Sequence, residues 1–136
     1  MGTIVVGVDA SDTAHEAATV AARLAMQLDA RLHIVTAYEK GATMHVPGGP
    51  AITQIERAES LLAALASEFR SRVGEVTIGV STGKPADVIC AEATSQEADL
   101  IVVGNKRMHG ASRILGAVAE RVLRHAPCDV YVANTT

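Results

Sequence analysis

Aromatic side chains are nearly missing from this sequence: its 136 residues include one phenylalanine, two tyrosines and no tryptophan. So little ring surface argues against the stacking platforms on which proteins hold single-stranded nucleic acid. Positive charge is also scarce. Twelve Lys and Arg stand against 15 Asp and Glu, for a formal net charge of −3, which removes the basic footprint needed to neutralise nucleic-acid phosphates. Cysteine is limited to Cys90 and Cys128, at no metal-ligand spacing, and this predicts two buried or idle thiols in a reducing cytoplasm rather than a structural disulfide. No apolar run is long enough to span a bilayer. Met1 to Ala10 has no basic region ahead of its apolar stretch and reaches Asp9 quickly, so it does not read as a secretory signal. The expectation is a cytoplasmic protein with neither nucleic acid nor membrane as a partner.

What is present is apolar and regularly arranged. Hydrophobic residues make up 49% of the chain, ample for one continuous core, and the length suits a single domain over 1–136. Five short β-branched runs alternate with longer stretches of helical period: Thr3–Val8, Arg31–Tyr38, Glu75–Val80, Leu100–Gly104 and Asp129–Ala133. That alternation predicts an α/β fold, a five-stranded parallel sheet with helices on both faces. The first and fourth runs are unbroken rather than alternating, which marks them as central strands. Helices are expected over Asp12–Leu28, with Thr13 and Glu16 as a capping box, over about Ala51–Arg72, over about Pro85–Gln96 and over about Ser112–His125. Lys40–Pro50, with three glycines and two prolines, is the one long loop. Right-handed crossovers, with the first three strands winding one way and the last two the other, give the order 3-2-1-4-5. The switch point then falls between the first and fourth strands, and ligands of open α/β sheets bind outside the carboxyl ends there. Asp9–Asp12 and Gly104–Arg113 are the loops to examine.

Several motifs compete for a functional reading. Gly79-Val80-Ser81-Thr82-Gly83 matches the nucleophile-elbow pattern, yet its strand is placed at the sheet edge, and nothing orients His109 or His125 toward Ser81. The bland alternative is turn geometry from the glycines, with Ser81 or Thr82 capping the next helix. The same stretch falls one residue short of a phosphate-binding G-x-x-x-x-G-K-[ST], with Pro85 in place of the magnesium-binding hydroxyl. The five histidines, His15, His33, His45, His109 and His125, show no metal-site spacing. Asp9, at the carboxyl end of a central strand, must find donors, in its own loop or on a ligand hydroxyl. The segment from Gly104 to Val118 carries more information. It follows a central strand, holds Gly104, Gly110 and Gly116 beside Lys106, Arg107 and Arg113, and leads into a helix. Glycines there let backbone N–H groups approach an anion closely, which points to a ligand bearing phosphate; the alternative is a glycine-rich turn with solvated basic side chains.

Four stretches taken together resemble the universal stress protein family. They are Val5-Val6-Gly7-Val8-Asp9-Ala10-Ser11, Gly83-Lys84-Pro85-Ala86, Ala98-Asp99-Leu100-Ile101-Val102-Val103-Gly104-Asn105, and His125-Ala126-Pro127-Cys128-Asp129-Val130-Tyr131-Val132. The resemblance implies the adenine nucleotide alpha hydrolase-like fold, a Rossmann-type three-layer sandwich. It also implies a ligand such as ATP, AMP or cyclic AMP, with or without Mg2+, held near Asp9, Ala10, Ser11 and Ala37. Nucleotide-binding members of the family carry G-x2-G-x9-G-[ST] after the fourth strand. This sequence keeps Gly104, followed by Asn105, and Gly116, but Arg107 replaces the second glycine, eight residues instead of nine follow, and Ala117, before Val118, replaces the hydroxyl. Arg107 would either grip phosphate or crowd the site. Other members lack the motif and act as dimeric interaction modules, so two readings are carried forward, a nucleotide-binding signalling module and a non-binding dimeric interaction protein. In either case the resemblance implies a homodimer through Asp129–Ala133, an apolar edge of the kind that invites a partner. No catalytic residues and no metal ligands are assigned, and no efficient catalysis is expected.

Overall fold

A computed structural model of the chain describes residues 2–9, 12–38, 43–44, 52–105, 108–109, 112–113 and 115–135. Five parallel strands form the sheet: β1 (Thr3–Gly7), β2 (Arg31–Tyr38), β3 (Val76–Thr82), β4 (Leu100–Gly104) and β5 (Asp129–Ala133). Their spatial order is β3-β2-β1-β4-β5, the order that the crossover rule gives. Register places Ile4 of β1 beside Leu32 of β2 on one side and Leu100 of β4 on the other. The described helices are α1 (Asp12–Leu28), α2 (Gln54–Phe69), α3 (Pro85–Ser95) and α4 (Ala117–His125).

Successive strand residues point to opposite faces, so an unbroken apolar strand feeds two cores. Ile4, Val6, Ile34 and Val102 enter the core under α1 and α2, with Leu62 and Phe69 from α2. Val5, Val35, Ile101 and Val103 enter the other, under α3 and α4. Ala17, Ala18, Ala21, Ala22 and Ala25 are all buried, and these small side chains let α1 lie close on the sheet. Phe69 is fully buried, and a side chain of that size contributes about 1.5–3 kcal/mol through burial alone.

Several element ends differ from the sequence expectation. α2 begins at Gln54, because Ile52–Thr53 pairs antiparallel with Thr43–Met44, inside the segment read as a loop. It ends at Phe69, whose carbonyl accepts the N–H groups of both Arg72 and Val73 and so closes the turn that carries Val73 into the core. α4 begins at Ala117 rather than Ser112; Ser112–Arg113 instead pairs with Met108–His109, and Gly116 is the extended N-cap. α1 spans Asp12–Leu28, the bounds its period predicts. β3 runs on to Thr82 because its ladder with β2 continues through Ala37↔Ser81 and Tyr38↔Thr82. Ser81 is therefore a ladder residue of an edge strand and not the apex of an elbow. Neither Ser81 nor Thr82 caps α3, whose N-cap is Lys84 without a side-chain bond.

Candidate functional site

The site begins at the carboxyl ends of β1 and β4, the two neighbours whose outgoing chains diverge. Past β1, the N–H of Val8 donates to the Val35 carbonyl at 2.9 Å, and the Thr36 hydroxyl donates to the Val8 carbonyl at 2.7 Å. The buried Thr36 thus holds the chain against β2 one residue before Asp9 turns outward to solvent. Past β4, Gly104 lies at the rim. Between these ends opens a cavity of about 290 Å³, lined from β1 by Gly7, Val8 and Asp9, from β2 by Val35, Thr36 and Ala37, and from β4 by Val103 and Gly104. Ala14 and Ala17 of α1, Pro85 and Ile89 of α3, and Gly116 to Ala119 at the start of α4 complete it.

Its walls are mostly apolar, and the polar character comes largely from backbone. Gly116, the N-cap of α4, has φ −63° and ψ 154° and makes no side-chain cap hydrogen bond. The first N–H groups of a helix have no partner within it, and at α4 they border the cavity where the helix dipole favours negative charge. Ala117 stands at the first helical position and offers a methyl where a hydroxyl would add a further donor. A mostly apolar lining that also includes the Asp9 carboxylate and the first residues of a helix suits a ligand with a flat apolar part, hydroxyl groups and an anion.

Of the residues singled out by sequence, Asp9, Ala37, Gly104, Gly116, Ala117 and Val118 line this cavity together. Ala10, Ser11 and Arg107 lie outside the described residues. Asn105 does not line it. Its side chain turns to the end of the chain, where Oδ1 accepts from the Thr135 N–H at 2.8 Å and the Thr135 hydroxyl at 3.0 Å. Sequence reasoning missed Thr36, Val35, Val103 and the α3 contribution of Pro85 and Ile89. A signal for Ile89 is Gly7: a Cβ there would overlap Cδ1 of Ile89 and come within 2.8 Å of its Cγ1, so glycine at the end of the strand lets α3 approach without displacing that side chain.

Among the described residues no three His, Cys, Asp or Glu side chains gather as a metal site would need. Cys90 and Cys128 are half-buried free thiols, and burial, foremost among several causes, pushes both upward from the usual thiol range. His15 is exposed and pairs with Glu68 at 2.9 Å. His33 is buried under α3, with Nδ1 2.6 Å from the Thr77 hydroxyl and Nε2 3.6 Å from Glu92 Oε1. Burial holds it below its ordinary value near 6.5, against the opposing pull of Glu92.

The model of the universal stress protein family matches residues 1–134. A universal stress protein of Thermus aquaticus is 36% identical over 97% of this chain and 98% of its own length. Among solved structures, a universal stress protein in complex with cAMP superposes with a TM-score of 0.75 at 27% identity, covering 99% of this chain and 98% of that one. The universal stress protein of Archaeoglobus fulgidus in complex with dAMP gives a TM-score of 0.71 at 25% identity, covering 97% of each chain.

Proposed function

The chain belongs to the universal stress protein family, and from that premise we propose that it is a cytoplasmic signalling module that binds an adenine nucleotide, ATP, AMP or cyclic AMP, in the cavity between β1 and β4. The observation that carries this reading is the start of α4, where among the described residues no side chain caps the first backbone amides, and Gly116 to Ala119 border a mostly apolar cavity. Phosphate belongs at those amides, the ribose hydroxyls within reach of Asp9, and the base against the apolar wall near Val35 and Ala37. The bound cAMP and dAMP of two structural neighbours support the ligand class. In this reading the protein acts as a binder; what supports it is that Ser81, the serine of the elbow-like motif, sits in an edge ladder opposite Ala37 and is not among the residues that line the cavity.

The test is a thermal-shift and calorimetric series with AMP, cyclic AMP and ATP, each with and without Mg2+. A ligand that binds only the folded state at a hundred times its Kd adds about 2.7 kcal/mol, and in a domain of this size each kcal/mol moves the midpoint by roughly 2–8 °C. No shift and no heat with any of the three at millimolar concentration would remove the reading. The second reading, a dimeric interaction protein, then stands on β5. That edge strand turns Tyr131 outward, 42% exposed, and a homodimer through Asp129–Ala133 would cover it. The same homodimer accompanies the nucleotide-binding reading.

A further inference from the structure

The segment after β5 packs against a residue that lines the cavity, Gly104. Asn105 follows Gly104 directly and is 4% exposed, and Thr135 is 6% exposed. Asn105 Oδ1 accepts both the N–H and the hydroxyl of Thr135. A backbone N–H can only donate, which fixes that atom as the amide oxygen. The amide nitrogen then donates to Asn134 Oδ1 at 3.0 Å, and the Asn105 N–H donates to the Ala133 carbonyl at 3.1 Å. Thr135 also packs directly on Gly104. A Cβ on that glycine would lie 3.3 Å from both Cγ2 and Oγ1 of Thr135 and 3.7 Å from the Ala17 methyl. Gly104 and Ala17 both line the cavity, so one threonine at the end of the chain backs the place where β4 and α1 meet.

We propose that Asn105 and Thr135 are positioning residues for the ligand: the tail beyond β5 clamps the carboxyl end of β4 and holds the Gly104 backbone at the rim in the orientation that the phosphate-bearing end of the ligand requires. The proposal rests on the nucleotide-binding reading above. Neither side chain needs to touch the ligand. Buried polar groups joined by several hydrogen bonds have a fixed arrangement because any other leaves a partner unsatisfied in a low-dielectric surrounding, and a binding group is only as well placed as the shell that supports it.

The experiment uses the full chain and AMP. Asn105→Ala removes all the side-chain bonds of the clamp, Thr135→Val removes the hydroxyl while keeping the volume, and Val73→Ala, in the core away from the cavity, serves as a destabilised control. Calorimetry is expected to show AMP binding weakened about fivefold or more by Asn105→Ala, less by Thr135→Val, and no further by the two together than by Asn105→Ala alone. Val73→Ala should leave affinity within about twofold even where it lowers the melting point as far. Hydrogen exchange supplies a readout independent of ligand, in which the Thr135 N–H loses protection in Asn105→Ala while amides of β1 and β2 keep theirs. Loss of that protection with AMP affinity unchanged overturns the proposal and leaves the nucleotide reading intact. An absence of AMP binding to the wild type overturns both. Equal weakening by Val73→Ala and Asn105→Ala shows a general stability effect and also overturns the clamp.

Discussion

Replacing Gly7 with alanine should drive a wedge between β1 and α3, and the structure says which side chain would receive it. The added Cβ overlaps Cδ1 of Ile89 and comes to 2.8 Å from Cγ1. Ile89 is 5% exposed and branched at Cβ, so it has few rotamers to which it could retreat. Overpacking of this kind costs about 1–3 kcal/mol, and Ile89→Ala alone, which leaves a cavity, about 2–5 kcal/mol. In the double variant the new methyl occupies space the isoleucine has vacated. The two effects should therefore fall short of their sum by about 1–3 kcal/mol, well outside the roughly 0.5 kcal/mol within which independent sites add. Urea unfolding of the wild type, both single variants and the double variant measures this directly. With a slope of about 1–3 kcal/mol per molar urea, a gap of 1 kcal/mol appears as a midpoint difference of about 0.3–1 M. Simple additivity would refute the close approach of Gly7 and Ile89. AMP affinity should fall in Gly7→Ala and recover in part in the double variant, because Ile89 lines the cavity into which it is pushed.

Three further predictions address the site, the buried histidine and the edge. Ala117→Ser should tighten AMP by about tenfold, the low end of what a hydrogen bond to a charged group contributes, and leave adenosine almost unchanged; calorimetry showing equal gains for both would exclude a phosphate contact. His33 is held neutral by burial, with Glu92 pulling the other way and Arg31 adding to the lowering, so the unfolded chain takes up a proton at higher pH than the folded one. Stability should then be full above pH about 6.5 and fall as the solution is acidified below it; His33→Gln should flatten that slope in urea titrations at pH 5–7, and an unchanged slope would show that other groups set it. Tyr131→Lys should convert a dimer to a monomer in light scattering if the β5 edge is the interface. Val130 and Val132 are poorer choices, since both pack on the second core and a charge there would test folding instead.

How much of the fold was legible follows from the range over which each feature is decided. The unbroken Ile4-Val5-Val6 and Leu100-Ile101-Val102-Val103 runs report burial on both faces in a handful of residues, and both strands are central. The helix starts that were misplaced depend on distant pairing. Nothing near Ile52 says that it will bridge to Met44, and nothing near Ser112 says that it will bridge to His109. Gly116 could have marked the true start of α4, since a glycine is acceptable at an N-cap and unfavourable within a helix.

The same division runs through the candidate site and explains which half of it could be read. Its polar half is made by backbone: the end of β1 at Asp9, Gly104 at the end of β4, and the amides that start α4. Backbone features leave local marks, a glycine or a strand end, and these were visible residue by residue. Its apolar half and its supports are made by side chains that meet only in the folded chain. Ile89 reaches Gly7 across 82 positions, by the numbering, and Thr135 reaches Asn105 across 30. Asn105 shows the consequence most clearly. Its place directly after Gly104 suggested a ligand contact, whereas its oxygen is taken by Thr135 and its nitrogen by Asn134. A residue beside a binding glycine can serve the ligand by direct contact or by holding the glycine, and only the partner on the far side of the strand tells the two apart.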